Sequence, residues 1–346
     1  MVGRLFFVGT AWLLVLSLVR RGSAETLIWQ DEFDTLDLNQ WSHLVTAWGG
    51  GNKEFQYYRN DRKNSYVRDG ILYLRPTWTS ADYGDDFLYS GSLSYPDCNF
   101  EPCTSSAGAD IVQPIQSARI SSSFSFKYGR VEVRAQMPRG DWIWPAIWLL
   151  PKYWEYGDWP RSGEIDMIEV RANDNYYDTS GVNQGCDRMI STLHWGPDAS
   201  HNGFWKSRWE KSIADTGRDF ADDFHLFGMV WTDNHITFTL DNEEIGTIWA
   251  PQGGFWYYGG FDQDPGGENI WQNGNWMAPF DREFNFILNV AVGGVFFPDD
   301  WGNRPWNWND GHPMRDFWER RSEWLPTWHE EAAAMKIDYI RVYSLD

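Results

Sequence analysis

The chain has 346 residues, a formal net charge of −20 at pH 7, and 24 Trp, 16 Tyr and 21 Phe. So acidic a chain is repelled by nucleic acid and by anionic membrane surfaces, which excludes both as partners and points to a neutral ligand. Aromatic faces suit sugar rings, whose C–H faces are apolar, although most of these rings must also fill a core.

In the opening residues, MVGRLFFVGTAWLLVLSLVRRGSA, Arg4 precedes an apolar run over 5–19 and a small-residue exit at Gly22-Ser23-Ala24. The pattern predicts a secretory signal peptide over 1–24 and an extracellular, secreted protein; the run is short for a membrane span. Its removal takes Arg4, Arg20 and Arg21 and no acid, so the mature chain, 25–346, is more acidic still. No later segment is long and apolar enough to cross a bilayer.

Strand patterns then recur: GILYLRP at 70–76, SARISSSFSF at 117–126, GRVEVRAQM at 129–137, HITFTL at 235–240, FNFILNVAVGG at 284–294 and MKIDYIRVY at 335–343. Asp241-Asn242 leads HITFTL into EEIGTIW, a hairpin signal. The best helical candidate is RDFWERRSEWL at 315–325. Long stretches at 77–116, 251–282 and 296–330 read as loops that shape a binding site on a rigid β frame. Cys98 and Cys103 bracket CNFEPC and can close a disulfide in an oxidising compartment, with Cys186 unpaired or partnered elsewhere. Neither CxxC nor HExxH is present, so zinc has little support. No linker or repeat divides the mature chain, and the economical reading is one all-β domain of two packed antiparallel sheets.

The informative stretch is SGEIDMIEV at 162–170, which sets Glu164, Asp166 and Glu169 among apolar strand residues. On a regular strand, i and i+2 share a face, so Glu169 at i+5 points the wrong way. A β-bulge of one residue restores it, and bulges gather near active sites. The alternative is a solvated polar face at a sheet edge. Two carboxylates across one glycosidic bond are what glycoside hydrolysis requires: one attacks the anomeric carbon, the other protonates the leaving oxygen and then activates water. A retaining pair needs carboxyls about 5–5.5 Å apart, whereas five strand residues span roughly 16 Å, so the side chains must converge. Asp166 between them holds Glu164 and tunes its proton affinity, and Glu169 is the expected proton donor.

In this setting the chain resembles the laminarinase-like branch of glycoside hydrolase family 16. The matching pieces, in order, are WQDEFD at 29–34, WGGGNKEFQYY at 48–58, YGRVEVRAQMP at 128–138, WPAIWLLP at 144–151, SGEIDMIE at 162–169, STLHWGP at 191–197, FILNVAVGG at 286–294 and IDYIRVYS at 337–344. PMRDFWERRSEWLPTW at 313–328 is similar to the animal β-1,3-glucanase and glucan-recognition subgroup. The resemblance implies a curved β-jelly roll with a concave cleft and retaining endo-hydrolysis of laminarin-type β-1,3-glucan by a monomer. It assigns Glu164 as nucleophile, Glu169 as acid/base and Asp166 as the assisting acid. It sets His194 near the leaving-group side, where a core histidine is the alternative, and Asn52 near the glycone side, where a turn-stabilising Asn is the alternative. Trp142, Trp144 and Trp148 are candidates for the sugar platform and pocket wall, Trp148 also for the core. No cofactor is required. A structural Ca²⁺ on the convex side is implied, with Glu32 and Asp338 as candidate oxygen ligands or, equally, as salt-bridged acids.

The rival expectation is a non-catalytic β-1,3-glucan receptor of innate immunity. Such members typically lack a catalytic Glu and carry an N-terminal glucan-binding module. This chain keeps all three acids, and WQDEFD follows directly on the signal peptide, so digestion is the expected activity.

Overall fold

A computed structural model describes residues 25–263 and 267–345; the signal-peptide expectation lies outside the described residues. Two large antiparallel sheets dominate it. One runs, edge to edge, through the strands Arg208–Ser212, Arg188–His194, Glu164–Val170, Ile143–Pro151, Phe284–Val292, Arg119–Phe126 and Trp41–His43. The other runs through Glu243–Trp249, His235–Leu240, His225–Trp231, Gly129–Gln136, Met335–Ser344, Ile71–Leu74 and Ser65–Arg68, with Thr26–Asp31 also on Met335–Ser344.

Alternation builds the core. Along Gly129–Gln136, Val131, Val133 and Ala135 are fully buried while their neighbours are half-exposed. Ile165, Ile168, Leu193 and Leu288 of the first sheet are equally buried. Each such aliphatic side chain taken out of water contributes about 1.5–3 kcal/mol. Asp241 and Asn242 both take positive φ, 49° and 70°, the geometry a two-residue hairpin turn demands. The amphipathic segment at 315–325 forms two short helices, Pro313–Glu319 and Arg321–Trp324, interrupted at Arg320. The long stretch at 77–116 is less of a loop than its sequence suggests, since it carries helices at Ser80–Tyr83 and Asp85–Ser90 and a small hairpin. Within that hairpin Cys98 and Cys103 are disulfide-bonded, and Cys186 is free and buried. Among the described residues no helix is long and apolar enough to cross a membrane.

Candidate active site

The three acids lie on the strand Glu164–Val170, third from the Arg208–Ser212 edge of its sheet, and the bulge is present. Asp166 pairs with Trp148 on one neighbour and Thr192 on the other, whereas Glu169 pairs with Ala146 and Ile190. Three steps along this strand therefore face two on each neighbour, and the surplus residue lies at Met167-Ile168. Ile165, Met167 and Ile168 are buried, while Glu164 and Glu169 keep partial exposure. A bulge leaves a ladder group unpaired. Here the Ser191 hydroxyl, itself fully buried, donates to the Met167 carbonyl at 2.7 Å and satisfies it.

Glu164, Asp166 and His194 offer oxygen and nitrogen atoms within 4.8 Å of one another. His194 sits directly across the ladder from Glu164, and its Nε2 lies 3.2 Å from Asp166 Oδ2 and 3.8 Å from Glu164 Oε1. The His194 ring is flanked by Trp159 and stacked on Phe204. On the far side of the bulge, the Trp144 indole donates from Nε1 to Glu169 Oε1 at 3.0 Å, and its ring stacks on Phe296 at 4.4 Å.

Burial raises all three carboxyls. Glu164 is pushed up to about 8, first by burial and next by the charge of Asp166, with His194 and Arg119 opposing. Asp166 is raised by burial and then by Glu169; it is only 4% exposed, and its Oδ2 has no hydrogen-bond partner. Glu169 is raised by burial, with His194 and the Trp144 hydrogen bond opposing. Such a cluster shares protons among its members, because its low-dielectric setting disfavours three charges at once.

Trp144, a candidate for the sugar platform, is 9% exposed and reaches Glu169, and His194 reaches Asp166 and Glu164. Trp148 is half-buried, donating from Nε1 to Asn289 Oδ1 at 2.6 Å with the Arg119 guanidinium over its ring. Trp142 corrects the expectation of a sugar platform. It is 6% exposed and packs edge-to-face on Tyr176, Phe297 and Trp306, so no ring face is open to a sugar. Asn52 takes the turn-holding role: its amide reaches the Gly50 carbonyl at 3.4 Å and Glu54 Oε1 at 3.3 Å. That turn is tight, with Gly50 at φ +64° and space for a Cβ occupied by the Glu54 carboxylate.

Glu54 itself is a residue the sequence reading missed. Its buried carboxylate accepts from Gln56 Nε2 at 2.5 Å and from the Tyr58 hydroxyl at 3.2 Å. Tyr58 accepts from Asn289, which holds Trp148, so a continuous chain of bonds runs from this turn to the sheet. Arg119 is also new, a half-buried residue whose guanidinium charge favours ionisation of both Glu54 and Glu164. The candidate calcium ligands do not fit a cation site. Both Glu32 oxygens accept from Arg341, at 2.7 and 2.9 Å, and Asp338 pairs with Arg134 at 2.5 Å. A guanidinium against each carboxylate repels the cation that calcium coordination would require.

Two packed antiparallel sheets thus carry a bulged strand of clustered carboxylates, with the Trp144 indole bonded to the last of them. The glycosyl hydrolases family 16 model matches residues 103–279. The chain is 45% identical to a β-1,3-glucan-binding protein of Penaeus monodon, over 92% of this chain and 90% of that one. It is 32% identical to β-1,3-glucan-binding protein 1 of Manduca sexta, over 92% of this chain but only 65% of that protein's length. It is 31% identical to a glucan endo-1,3-β-glucosidase of Cryptopygus antarcticus, over 83% and 93% of the two chains. In fold it is similar to the catalytic domain of an endo-1,3-β-glucanase (laminarinase) from Thermotoga petrophila, with a TM-score of 0.60, 24% identity, and 94% and 99% of the chains covered. The chain belongs to glycosyl hydrolase family 16 and has the laminarinase jelly roll.

Proposed function

We propose that this chain is a secreted, monomeric, retaining endo-β-1,3-glucanase acting on laminarin-type glucan without a cofactor. The observation that carries the reading is the bulge, which turns Glu164, Asp166 and Glu169 to one face of the sheet. A protein that only binds a neutral glucan gains nothing from three desolvated acids, whose mutual repulsion costs stability.

In the first step a Glu164 oxygen forms a bond to the anomeric carbon as the C1–O bond breaks. The proton of Glu169 passes to the departing oxygen. In the second, Glu169 takes a proton from water, the water oxygen attacks C1, and Glu164 leaves as carboxylate. Glu164 must be ionised to attack although its own proton affinity is high. Placing the shared proton on Asp166, the least exposed of the three, resolves this: it removes the neighbouring charge and leaves Glu164 the anion. Trp144 orients Glu169, and His194 stands beside Asp166 and Glu164.

The second reading is a non-catalytic β-1,3-glucan-recognition protein, supported by the 45% identity to the Penaeus monodon glucan-binding protein. Proton NMR of laminarioligosaccharide cleavage separates the two. Immediate appearance of the β-anomer, mutarotating later, is the expected result; an unchanged substrate at saturating enzyme favours recognition, and an α-anomer would exclude the retaining mechanism.

A further inference from the structure

The His194 ring has two nitrogens, and which one carries the proton decides what it offers the acids. Nε2 faces Asp166 and Glu164. Nδ1 faces Asn202 Nδ2 at 2.7 Å. The orientation of the Asn202 amide is set independently of the imidazole. Its Oδ1 accepts from the backbone N–H groups of Trp195, at 3.3 Å, and Phe204, at 3.2 Å. Only an oxygen can serve there, so the other end of the amide, facing His194, is the NH₂.

The loop bearing Asn202 is held tightly. A Cβ on Gly196 would stand 2.2 Å from the His201 carbonyl oxygen, and one on Gly203 would stand 2.6 Å from the Trp195 ring. Asp198 caps the short turn by accepting from the backbone N–H groups of Ser200 and His201. Gly203 N–H donates to the Trp195 carbonyl at 2.7 Å, closing the loop around Asn202.

We infer that Asn202 is a positioning residue that locks neutral His194 in the Nε2–H tautomer. An amide NH₂ requires an acceptor at Nδ1, so the ring proton resides on Nε2 and is presented to Asp166 and Glu164. With the shared proton on Asp166, that N–H lies 3.8 Å from Glu164 Oε1 and its positive end favours the ionised form that Glu164 needs. The proton also occupies the lone pair by which the Glu164–Asp166–His194 group would otherwise bind a transition metal. The tautomer follows from geometry alone; its catalytic consequence rests on the hydrolase reading above.

The test is long-range ¹H–¹⁵N NMR of the full protein labelled in histidine, with the His194 signals assigned by their loss in His194→Gln. The wild type is expected to show the Nε2–H pattern. Asn202→Asp retains an oxygen for the two backbone donors and turns an acceptor toward Nδ1, so the pattern should invert to Nδ1–H. In the same pair kcat on laminarin should fall tenfold or more, with KM changed less than threefold. Asn202→Ala, which frees the ring, should show both tautomers and an intermediate kcat. A wild-type Nδ1–H pattern, or a pattern unmoved by Asn202→Asp, overturns the lock. An inverted pattern with unchanged kcat overturns the positioning role. Absence of hydrolysis in the wild type with the Nε2–H pattern intact upholds the lock and fails the hydrolase reading instead.

Discussion

The Trp144 indole N–H donates to Glu169 Oε1 across neighbouring strands, and Phe296 stacked on the same indole fixes the direction of that bond. The donor favours the ionised carboxylate, against the upward push of burial. Glu169 therefore sits between two opposed influences, as a group that must give and then take a proton requires.

Trp144→Phe keeps a ring against Phe296 and deletes the donor. The proton affinity of Glu169 should rise, because the Trp144 hydrogen bond that favours its ionised form is lost. Glycosylation needs Glu169 protonated, so the alkaline limb of the kcat/KM profile should move to higher pH. A limb that stays in place or moves down would show that this bond does not tune Glu169.

Ser191→Ala removes the hydroxyl that satisfies the bulged Met167 carbonyl. An unsatisfied buried acceptor costs about 1–3 kcal/mol. Denaturant unfolding should register that loss. Activity at temperatures where the variant is folded should fall as well, because the bulge sets the direction of Glu169. Ser191→Thr, which keeps the donor, tests whether the hydroxyl or the added volume matters.

Glu164 gives a pH-dependent stability. Its proton affinity rises from about 4.5 to about 8 on folding. Between those pH values the native state holds a proton that the unfolded chain releases, so this group's contribution to stability falls as pH rises through the window. Glu164→Gln cannot ionise and escapes the loss. The variant should melt a few degrees above wild type at pH 8, on the order of 1–2 kcal/mol after allowing for proton sharing with Asp166, and near wild type at pH 4. Calorimetry at the two pH values decides it; equal melting temperatures at pH 8 would mean that Glu164 is not strained by burial.

Glu54 anchors three donors, so Glu54→Ala should strand the Tyr58 hydroxyl and the Gln56 and Asn52 amides. A loss of about 3–5 kcal/mol is expected for breaking such a buried network. Glu54→Gln retains an acceptor and should cost less. Equal, small losses in both would remove the network from the account.

The bulge was legible because a strand has a period of two and the third acid violates it, a conflict with one economical solution. The hairpin at Asp241-Asn242 was legible because those residue types tolerate the φ values a tight turn needs. Trp142 was not. It stands at φ +68°, just before the Ile143–Pro151 strand, so the alternation that carries Trp144 does not extend to it. The Glu54 network eluded the sequence for another reason: it joins residues near 54, 119, 148 and 289, whose proximity exists only in the folded sheet. Asn202 lies in a loop with no periodicity, and its meaning depends on two backbone N–H groups that no residue pattern reveals.

The most direct measurement is reducing-sugar release from laminarin by the purified protein beside Glu164→Gln and Glu169→Gln, at equal folded concentration. The account predicts clear release by the wild type and a loss of at least a hundredfold in both variants, with laminarin still bound. Tight laminarin binding with no release by the wild type would contradict it and identify a glucan receptor whose carboxylates are catalytically silent.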